Sequence, residues 1–213
     1  PHMIHRPKKS LGQNFLKDQS ALRAMVSASE ITSKDTVLEI GPGKGALTSK
    51  LLETGAEVIA IEKDRDLIEP LNEKFSKEIK NKQFSLVCDD ILQIDLKKLK
   101  LKNYKLVANI PYYITGEILK KFLETEKSPQ KITLLVQKEV AERIVAKNGK
   151  ESVLSISVKI FGTPKYIQTV KARFFSPAPK VDSAIIAITP FEKSKIANIE
   201  RFFPFIKEAF KSK

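Results

Sequence analysis

The chain has 213 residues, of which 42% are hydrophobic and 30% charged, so it can bury a sizeable core and is expected to form one main domain rather than a disordered chain. Lys and Arg number 38 against 25 Asp and Glu, and the resulting net charge of +13 favours a polyanionic partner such as nucleic acid. Cys88 is the only cysteine and no apolar run is long enough to span a membrane, which excludes an intrachain disulfide and favours a cytoplasmic protein without a membrane anchor.

The first segment of the chain is expected to be a basic leader, residues 1–17, in which Pro1, His2 and Met3 resemble a remnant of cloning. The two histidines, His2 and His5, lie in this leader, so a histidine-based catalytic triad or metal site is not expected. A helix is predicted over residues 18–28, with Asp18 as its N-cap.

From residue 36 onward, segments rich in β-branched residues alternate with helical patterns, which predicts a parallel sheet covered by helices on both faces. The predicted strands are 36–40, 57–61, 84–88, 105–108 and 131–137, and the predicted helices are 46–53, 64–80, 117–124 and 138–147.

The pattern then changes to two strands, 166–171 and 183–189, which have no room for a crossover helix between them and should pair antiparallel. A mostly parallel sheet that ends in an antiparallel hairpin is typical of Rossmann-like methyltransferases rather than of dehydrogenases. We therefore expect an α/β fold with a seven-stranded sheet over residues 18–191. Residues 192–213, with one amphipathic helix at 196–210, are expected to be the truncated beginning of a helical C-terminal domain.

A glycine loop follows the first of these strands. Gly41 and Gly43 allow backbone torsions and a close ligand approach that a Cβ would forbid. Glu62 ends the next strand, where a carboxylate can accept both ribose hydroxyls of a nucleoside cofactor. Because Pro42 removes a backbone donor, the loop fits a cofactor without a pyrophosphate better than a dinucleotide, although dinucleotide binding and a plain strand–helix turn remain alternatives.

Asp89 and Asp90 end the third strand and reach the same edge of the sheet. We interpret Asp90 as a candidate acceptor for an adenine amino group and Asp89 as a solvated turn acid.

The tetrapeptide Asn109-Ile110-Pro111-Tyr112 follows the fourth strand. An adenine N6 amine is a poor nucleophile until acceptors hold its hydrogens, and the Asn109 amide and the Ile110 carbonyl, with Pro111 fixing the local chain, could supply them. Tyr112 offers a stacking face, which contributes roughly 1–3 kcal/mol per base. A Pro-Tyr turn packed on the core is the alternative.

Five ordered segments together resemble one known family, the bacterial small-subunit (16S) rRNA adenine N6,N6-dimethyltransferases, also called the kasugamycin-sensitivity family. The segments are 9–16, 39–48, 109–112, 136–143 and 175–183. The resemblance implies a class I methyltransferase that uses S-adenosyl-L-methionine and no metal. It also implies a monomer that dimethylates two adjacent adenosines near the 3′ end of small-subunit rRNA, within a small ribosomal subunit precursor, during ribosome biogenesis.

The same resemblance implies roles for individual residues. Asn14 and Leu16 would close over the cofactor and Gly41 would touch it by its backbone. Glu62 would hold the ribose, Asp90 the adenine, and Asn109 the methyl-transfer site. The target base would lie between Tyr112 and Phe175, so the expected catalytic set is Asn109, Ile110, Pro111, Tyr112 and Phe175.

Two alternatives share this fold: an rRNA dimethyltransferase of the large subunit that confers macrolide resistance, and a non-catalytic RNA-binding assembly or transcription factor. A DNA or messenger-RNA adenine methyltransferase is disfavoured, because those enzymes usually carry an acidic residue where this chain has Asn109. An RNA path is predicted along basic residues, namely Lys8, Lys9, Lys97, Lys98, Lys100, Lys102, Lys105, Lys120, Lys121, Lys171 and Arg173.

Overall fold

The computed structural model of the chain describes residues 7–8, 11–146 and 149–192, without the side chain of Tyr112. Residues 1–6, the helix predicted at 196–210 and nearly all of the predicted C-terminal segment therefore lie outside the described residues.

The strands and helices alternate along most of the described chain. The strands are β1 (Phe15–Leu16), β2 (Thr36–Ile40), β3 (Glu57–Glu62), β4 (Phe84–Cys88), β5 (Tyr104–Asn109), β6 (Lys131–Gln137), β7 (Gly162–Val170), β8 (Phe175–Ser176) and β9 (Ser183–Pro190). The α-helices are α1 (Gln19–Ala28), α2 (Ala46–Glu53), α3 (Ile68–Lys74), α4 (Ser76–Lys80), α5 (Thr115–Leu123), α6 (Lys138–Val145) and α7 (Val153–Phe161). Within residues 7–8, 11–146 and 149–192, none of these helices has both the length and the apolar character needed to cross a membrane.

Seven of these strands form the main sheet, in the order β4-β3-β2-β5-β6-β9-β7. The first five run parallel, with Ile40 of β2 level with Ile61 on one side and Ala108 on the other. The strand β9 pairs antiparallel with both β6 and β7. The predicted fold class, a mostly parallel seven-stranded sheet with a terminal antiparallel hairpin, is confirmed.

Two hydrophobic cores lie on the two faces of the sheet, because successive residues of a strand point to opposite faces. In β2, Leu38 faces the core that includes Ile118, Ile144 and Val158 from α5, α6 and α7. Its neighbour Val37 faces the other core, whose helical members include Leu22 of α1, Leu51 of α2 and Leu71 of α3. The sheet is therefore covered on both sides, as the near-continuous apolar strands predicted.

The helix predicted over residues 64–80 is interrupted. A 3-10 turn, Arg65–Leu67, comes first and is capped by the Asp64 side chain, and Phe75 separates α3 from α4 with φ −109° and ψ 26°. The Phe75 ring is buried, lies 5.1 Å from the Phe84 ring and fills the space beside Gly45, where an added Cβ would come within 2.6 Å of it. Burial of the Phe75 ring therefore stabilises the fold more than an unbroken helix over residues 64–80 would.

Helix α7 and the two-residue strands β1 and β8 were not predicted. The apolar, β-branched sequence of α7 hides its helical period, although Ser152 and Ser155 form a capping box at its start. The strand predicted at 166–171 instead runs Gly162–Val170, with a register shift between Tyr166 and Gln168. Asp18, in contrast, caps α1 as predicted, accepting a hydrogen bond of 2.8 Å from the backbone N–H of Ala21.

The hydroxyl of Thr133 in β6 yields the first testable prediction. It is fully buried, and no residue in the described part of the chain accepts or donates a hydrogen bond to it. Thr133→Val should therefore raise the free energy of unfolding, by about 1 kcal/mol, because it removes an unsatisfied polar group without changing the shape of the side chain. Denaturant unfolding checks this.

Thr48→Val is the matched control, since the equally buried Thr48 hydroxyl donates a 2.7 Å hydrogen bond to Glu39 and its loss should be destabilising. Equal destabilisation by the two substitutions would show that the Thr133 hydroxyl has a partner.

Candidate active site

A crevice of about 1870 Å³ opens at the carboxyl ends of the parallel strands. The chain leaves β2 for β3 and β4 on one side and later returns to β5 on the other, so β2 and β5 end at the point where strand order reverses. Ligands of open α/β sheets bind at such a point. The crevice brings together every candidate site residue whose side chain is described, namely Asn14, Leu16, Gly41, Glu62, Asp90, Asn109, Ile110, Pro111 and Phe175.

The glycine loop turns sharply at the end of β2. Gly41 and Gly43 have φ of +66° and +58°, the left-handed region that the sequence analysis expected of them. Gly41 leaves open space towards the crevice, since the nearest atom to an added Cβ would be the Asn109 carbonyl oxygen at 3.6 Å. At Gly43 the ring of Phe15 would lie only 3.0 Å from a Cβ, so the leader packs directly on the loop.

Glu62, at the end of β3, presents a buried carboxylate to the crevice. One oxygen accepts from the backbone N–H of Gly43 at 3.1 Å and the other from that of Asp64 at 2.8 Å. Burial raises the pKa of Glu62 above its usual value, and hydrogen bonds from the backbone of Asp64, Gly43 and Lys63 partly offset this effect. These backbone donors restrain the carboxylate.

Asp90 lies beyond the end of β4 and forms an ion pair of 2.8 Å with Lys63. Burial opposes ionisation of Asp90, but the hydrogen bonds from Lys63 and from the Leu92 backbone outweigh it, so its pKa lies below the usual value. Asp89 is exposed and accepts a hydrogen bond from the backbone of its neighbour Asp90 at 2.7 Å, in keeping with its interpretation as a turn acid.

The Asn109 loop faces the glycine loop across the crevice. The Asn109 amide nitrogen donates to the backbone carbonyl of Asn14 at 3.4 Å, which directs the amide oxygen away from the leader. Ile110 is buried, and the Pro111 carbonyl accepts from Ile114 N–H at 3.2 Å, closing a 3-10 turn over Tyr112–Ile114. The Tyr112 side chain, assigned a stacking role in the sequence analysis, lies outside the described part.

The leader crosses the mouth of the crevice as a short strand. Its β1 pairs antiparallel with β8, with Phe15 level with Ser176 and Leu16 level with Phe175. Leu16 and Phe175 are each 6% exposed and belong to the core beneath the crevice as well as to its wall. Phe175 is thus a core residue that also contributes to the crevice wall.

Two buried acids near the site were missed by sequence reasoning. Glu39, in β2, is 1% exposed and accepts a hydrogen bond from Thr48, and burial raises its pKa to about 8. Asp64 is 2% exposed and is bonded to Lys8 and Gln13 of the leader. A charged residue inside an apolar strand was the available signal for Glu39; no local signal marked Asp64.

The structure revises the predicted RNA path. Lys105 is paired with Asp35 at 3.0 Å, Lys121 donates to the Ile94 carbonyl at 2.8 Å, and Lys171 pairs with Asp182 at 3.4 Å. Lys97, Lys98, Lys100 and Lys102 are exposed, lie in the connection between β4 and β5, and do not line the crevice. Of the predicted path, Lys120 lines the crevice; the other cations that line it, Lys17, Lys44, Lys63, Arg143 and Lys180, were not predicted.

Comparison with known proteins identifies the family. The sequence model described as Ribosomal RNA adenine dimethylase matches residues 4–213. This chain belongs to the ribosomal RNA adenine dimethylase family. A relative from Fusobacterium nucleatum, named Ribosomal RNA small subunit methyltransferase A, is 41% identical over 99% of this chain and 81% of its own length. A relative of the same name from Dehalococcoides mccartyi is 44% identical over 86% of this chain and 62% of its own length.

Solved structures agree with this membership. A dimethyladenosine transferase from Plasmodium falciparum is 31% identical with a TM-score of 0.79, covering 93% of this chain and 71% of that one. The 23S rRNA methyltransferase ErmE is 29% identical with a TM-score of 0.78, and the match covers 91% of this chain and 78% of that one. The family member described here therefore has the fold of class I S-adenosylmethionine-dependent methyltransferases.

Glu39 gives this site a predicted pH dependence. Its folded-state pKa of about 8 exceeds the usual value of 4.5, so between these limits the folded chain holds a proton that the unfolded chain releases. This residue therefore stabilises the fold less as the pH rises, and the loss is complete above about pH 8. Glu39→Gln removes this titration. The melting temperature of the variant minus that of the original chain should therefore increase by several degrees as the pH is raised from about 5 to about 9. A difference that stays constant over this range would contradict the assignment.

Proposed function

We propose that this chain is an enzyme that transfers methyl groups from S-adenosylmethionine to the N6 amines of two adjacent adenosines near the 3′ end of small-subunit rRNA, during ribosome biogenesis. The observation that carries the proposal is the placement of Asn109 and Ile110 across one crevice from Gly41 and Glu62. The names of the bacterial relatives support the small-subunit target over the large-subunit alternative.

The residues of the crevice fit this cofactor. Gly41 leaves room for a close approach, and the fixed Glu62 carboxylate can accept hydrogen bonds from two ribose hydroxyls. Asp90, kept ionised by Lys63, can accept from the adenine amine, and Asn14 and Leu16 lie where they can cover the ligand. The ionised Asp90 also favours a cationic ligand, and the cofactor carries its electrophilic methyl group on a positively charged sulfur.

The Asn109 loop can hold the target amine. Because the Asn109 amide nitrogen donates to Asn14, its oxygen is the end left to accept a hydrogen from adenine N6. The backbone carbonyl of Ile110 would accept the second hydrogen and turn the nitrogen lone pair towards the methyl group. No general base of unusual pKa is needed, since a methylated ammonium is acidic; positioning alone can supply roughly 7–11 kcal/mol of the barrier.

The target base would stack on Tyr112 and meet the crevice wall at Phe175, which requires it to be turned out of any duplex. Since Phe175 is 6% exposed, only the part of the ring that lines the crevice can meet the base. The family resemblance implies the same arrangement of the base between Tyr112 and Phe175.

The proposed partner is rRNA within a precursor of the small subunit, bound by one copy of the chain in the cytoplasm. Lys44, Lys120, Arg143 and Lys180 line the crevice, and none forms an ion pair with another residue of the described chain, so they can contact phosphate. We assign methyl transfer to residues 18–191.

Asn109→Ala tests the catalytic assignment. Loss of the amide should reduce transfer of labelled methyl groups to unmethylated small subunits by about 100-fold or more, because the amine is no longer oriented. Asn81→Ala, an exposed position far along the chain, is the matched control and should leave the rate unchanged. Subunit binding without methylation by the original chain would favour the non-catalytic assembly factor instead.

Salt dependence tests the RNA surface. The affinity of a hairpin from the 3′ end of small-subunit rRNA should fall steeply with salt, and each lost phosphate contact should reduce the slope of log affinity against log salt by about 1. Lys120→Met and Lys180→Met should each reduce the slope, whereas Lys97→Met and Lys98→Met, which do not line the crevice, should not. A slope near zero, or equal effects of the two pairs of substitutions, would contradict this surface.

A further inference from the structure

The leader is fastened to the end of β3 by a small polar cluster, which we call the clasp: Lys8, Gln13, Asp64 and Asp66. Lys8 Nζ lies 2.6 Å from one oxygen of Asp64 and 2.7 Å from a carboxylate oxygen of Asp66. Gln13 Nε2 donates to the other oxygen of Asp64 at 2.7 Å, and Gln13 Oε1 accepts from the Lys8 backbone at 2.7 Å. Both leader residues thus meet on one carboxylate.

Asp64 is the centre of the clasp and is almost inaccessible, with its side chain 1% exposed. A buried carboxylate is costly unless charged and polar partners surround it, and here the leader supplies both of them. Asp64 also caps the following 3-10 turn through the Asp66 backbone N–H at 3.2 Å, but that bond uses one oxygen only. Capping alone does not explain Lys8 and Gln13.

The backbone of Asp64 connects the clasp to the site. Its N–H donates to Glu62 at 2.8 Å, so the residue that binds the leader through its side chain also fixes the proposed ribose acid through its main chain. Movement of Asp64 would disturb both contacts.

Beyond the clasp, the leader touches both reactive loops. An added Cβ at Gly12 would lie 3.1 Å from Pro111, the carbonyl of Asn14 accepts from Asn109 at 3.4 Å, and the ring of Phe15 packs on Gly43. The leader is also held by its two-residue ladder with β8 and by the hydrogen bond from the Lys17 N–H to the Phe174 carbonyl at 2.9 Å. The clasp joins the start of the leader to the segment that follows Glu62.

We propose that Asp64 is a positioning residue that locks the leader over the crevice and holds Glu62 in place, so that cofactor affinity, rather than the methyl-transfer step, depends on the clasp. This inference rests on the proposed function, since it assumes that Glu62 meets the cofactor ribose. Lys8 and Gln13 are the residues through which the leader binds Asp64.

The experiment compares Gln13→Ala, Asp64→Asn and the double variant with the original chain, using S-adenosylhomocysteine and isothermal calorimetry. Each single substitution should weaken binding about tenfold, as expected for loss of a hydrogen bond to a buried charge. The affinity of the double variant should lie within about twofold of that of Asp64→Asn, because Gln13 acts through that same carboxylate. Gln130→Ala, an exposed glutamine at the opposite edge, is the control and should bind normally.

Steady-state kinetics separate positioning from a general loss of structure. In Gln13→Ala, which leaves the Asp64 cap intact, the KM for the cofactor should rise about tenfold while kcat stays close to the original value and the melting temperature falls by no more than a few degrees. Unchanged cofactor affinity in Gln13→Ala and Asp64→Asn would overturn the clasp while leaving the proposed function intact, and so would a fall in kcat with KM unchanged. Absence of any binding by the original chain would overturn the proposed function and the clasp with it.

Discussion

The polarity of four neighbouring strands is the constraint on which the site depends. The strands β4, β3, β2 and β5 run parallel, so the turns that follow them meet at one edge of the sheet. The glycine loop, Glu62, Asp90 and the Asn109 loop come from segments that are far apart in sequence, and each needs only to follow its strand to reach the crevice. The sheet thus positions the residues of the site, and the loops that carry them can be short.

Charge is separated in a way that suits a cationic cofactor and an anionic substrate. The chain carries a net charge of +13, yet Glu39, Glu62 and Asp64 are buried at the ends of β2 and β3. Glu62 accepts hydrogen bonds from backbone N–H groups, and Asp64 accepts one from Lys8 of the leader. Glu39 accepts one from the Thr48 hydroxyl. Glu39, with its pKa raised to about 8, is protonated near neutral pH and adds no charge, so the carboxylates proposed to meet the cationic cofactor are Glu62 and Asp90. The cations proposed to meet phosphate line the same crevice.

The sequence was sufficient to predict the sheet, its terminal hairpin and the position of the main loops. Gly41, Glu62 and Asn109 were placed correctly at the crevice because each lies at the carboxyl end of a strand with a clear apolar pattern, and strand polarity decides where such residues meet. Their roles towards a ligand stay predictions.

The remaining features depend on tertiary contacts that no local pattern encodes. Strands β1 and β8 have two residues each, too few for a period, and the clasp joins Lys8 and Gln13 to Asp64, more than fifty positions away in sequence. Composition likewise cannot separate a paired lysine such as Lys105 from one that is available at the crevice. The break at Phe75 follows from the space beside Gly45, which exists only once α2 is in place.

The central claim, that cofactor and target amine meet where β2 and β5 end, is tested most directly by a crystal structure of the chain with S-adenosylhomocysteine. We expect the ribose hydroxyls within hydrogen-bond distance of Glu62, the adenine amine beside Asp90, and the sulfur facing the loop that begins at Asn109. A ligand bound elsewhere, with Glu62 holding only its two backbone donors, would contradict the account.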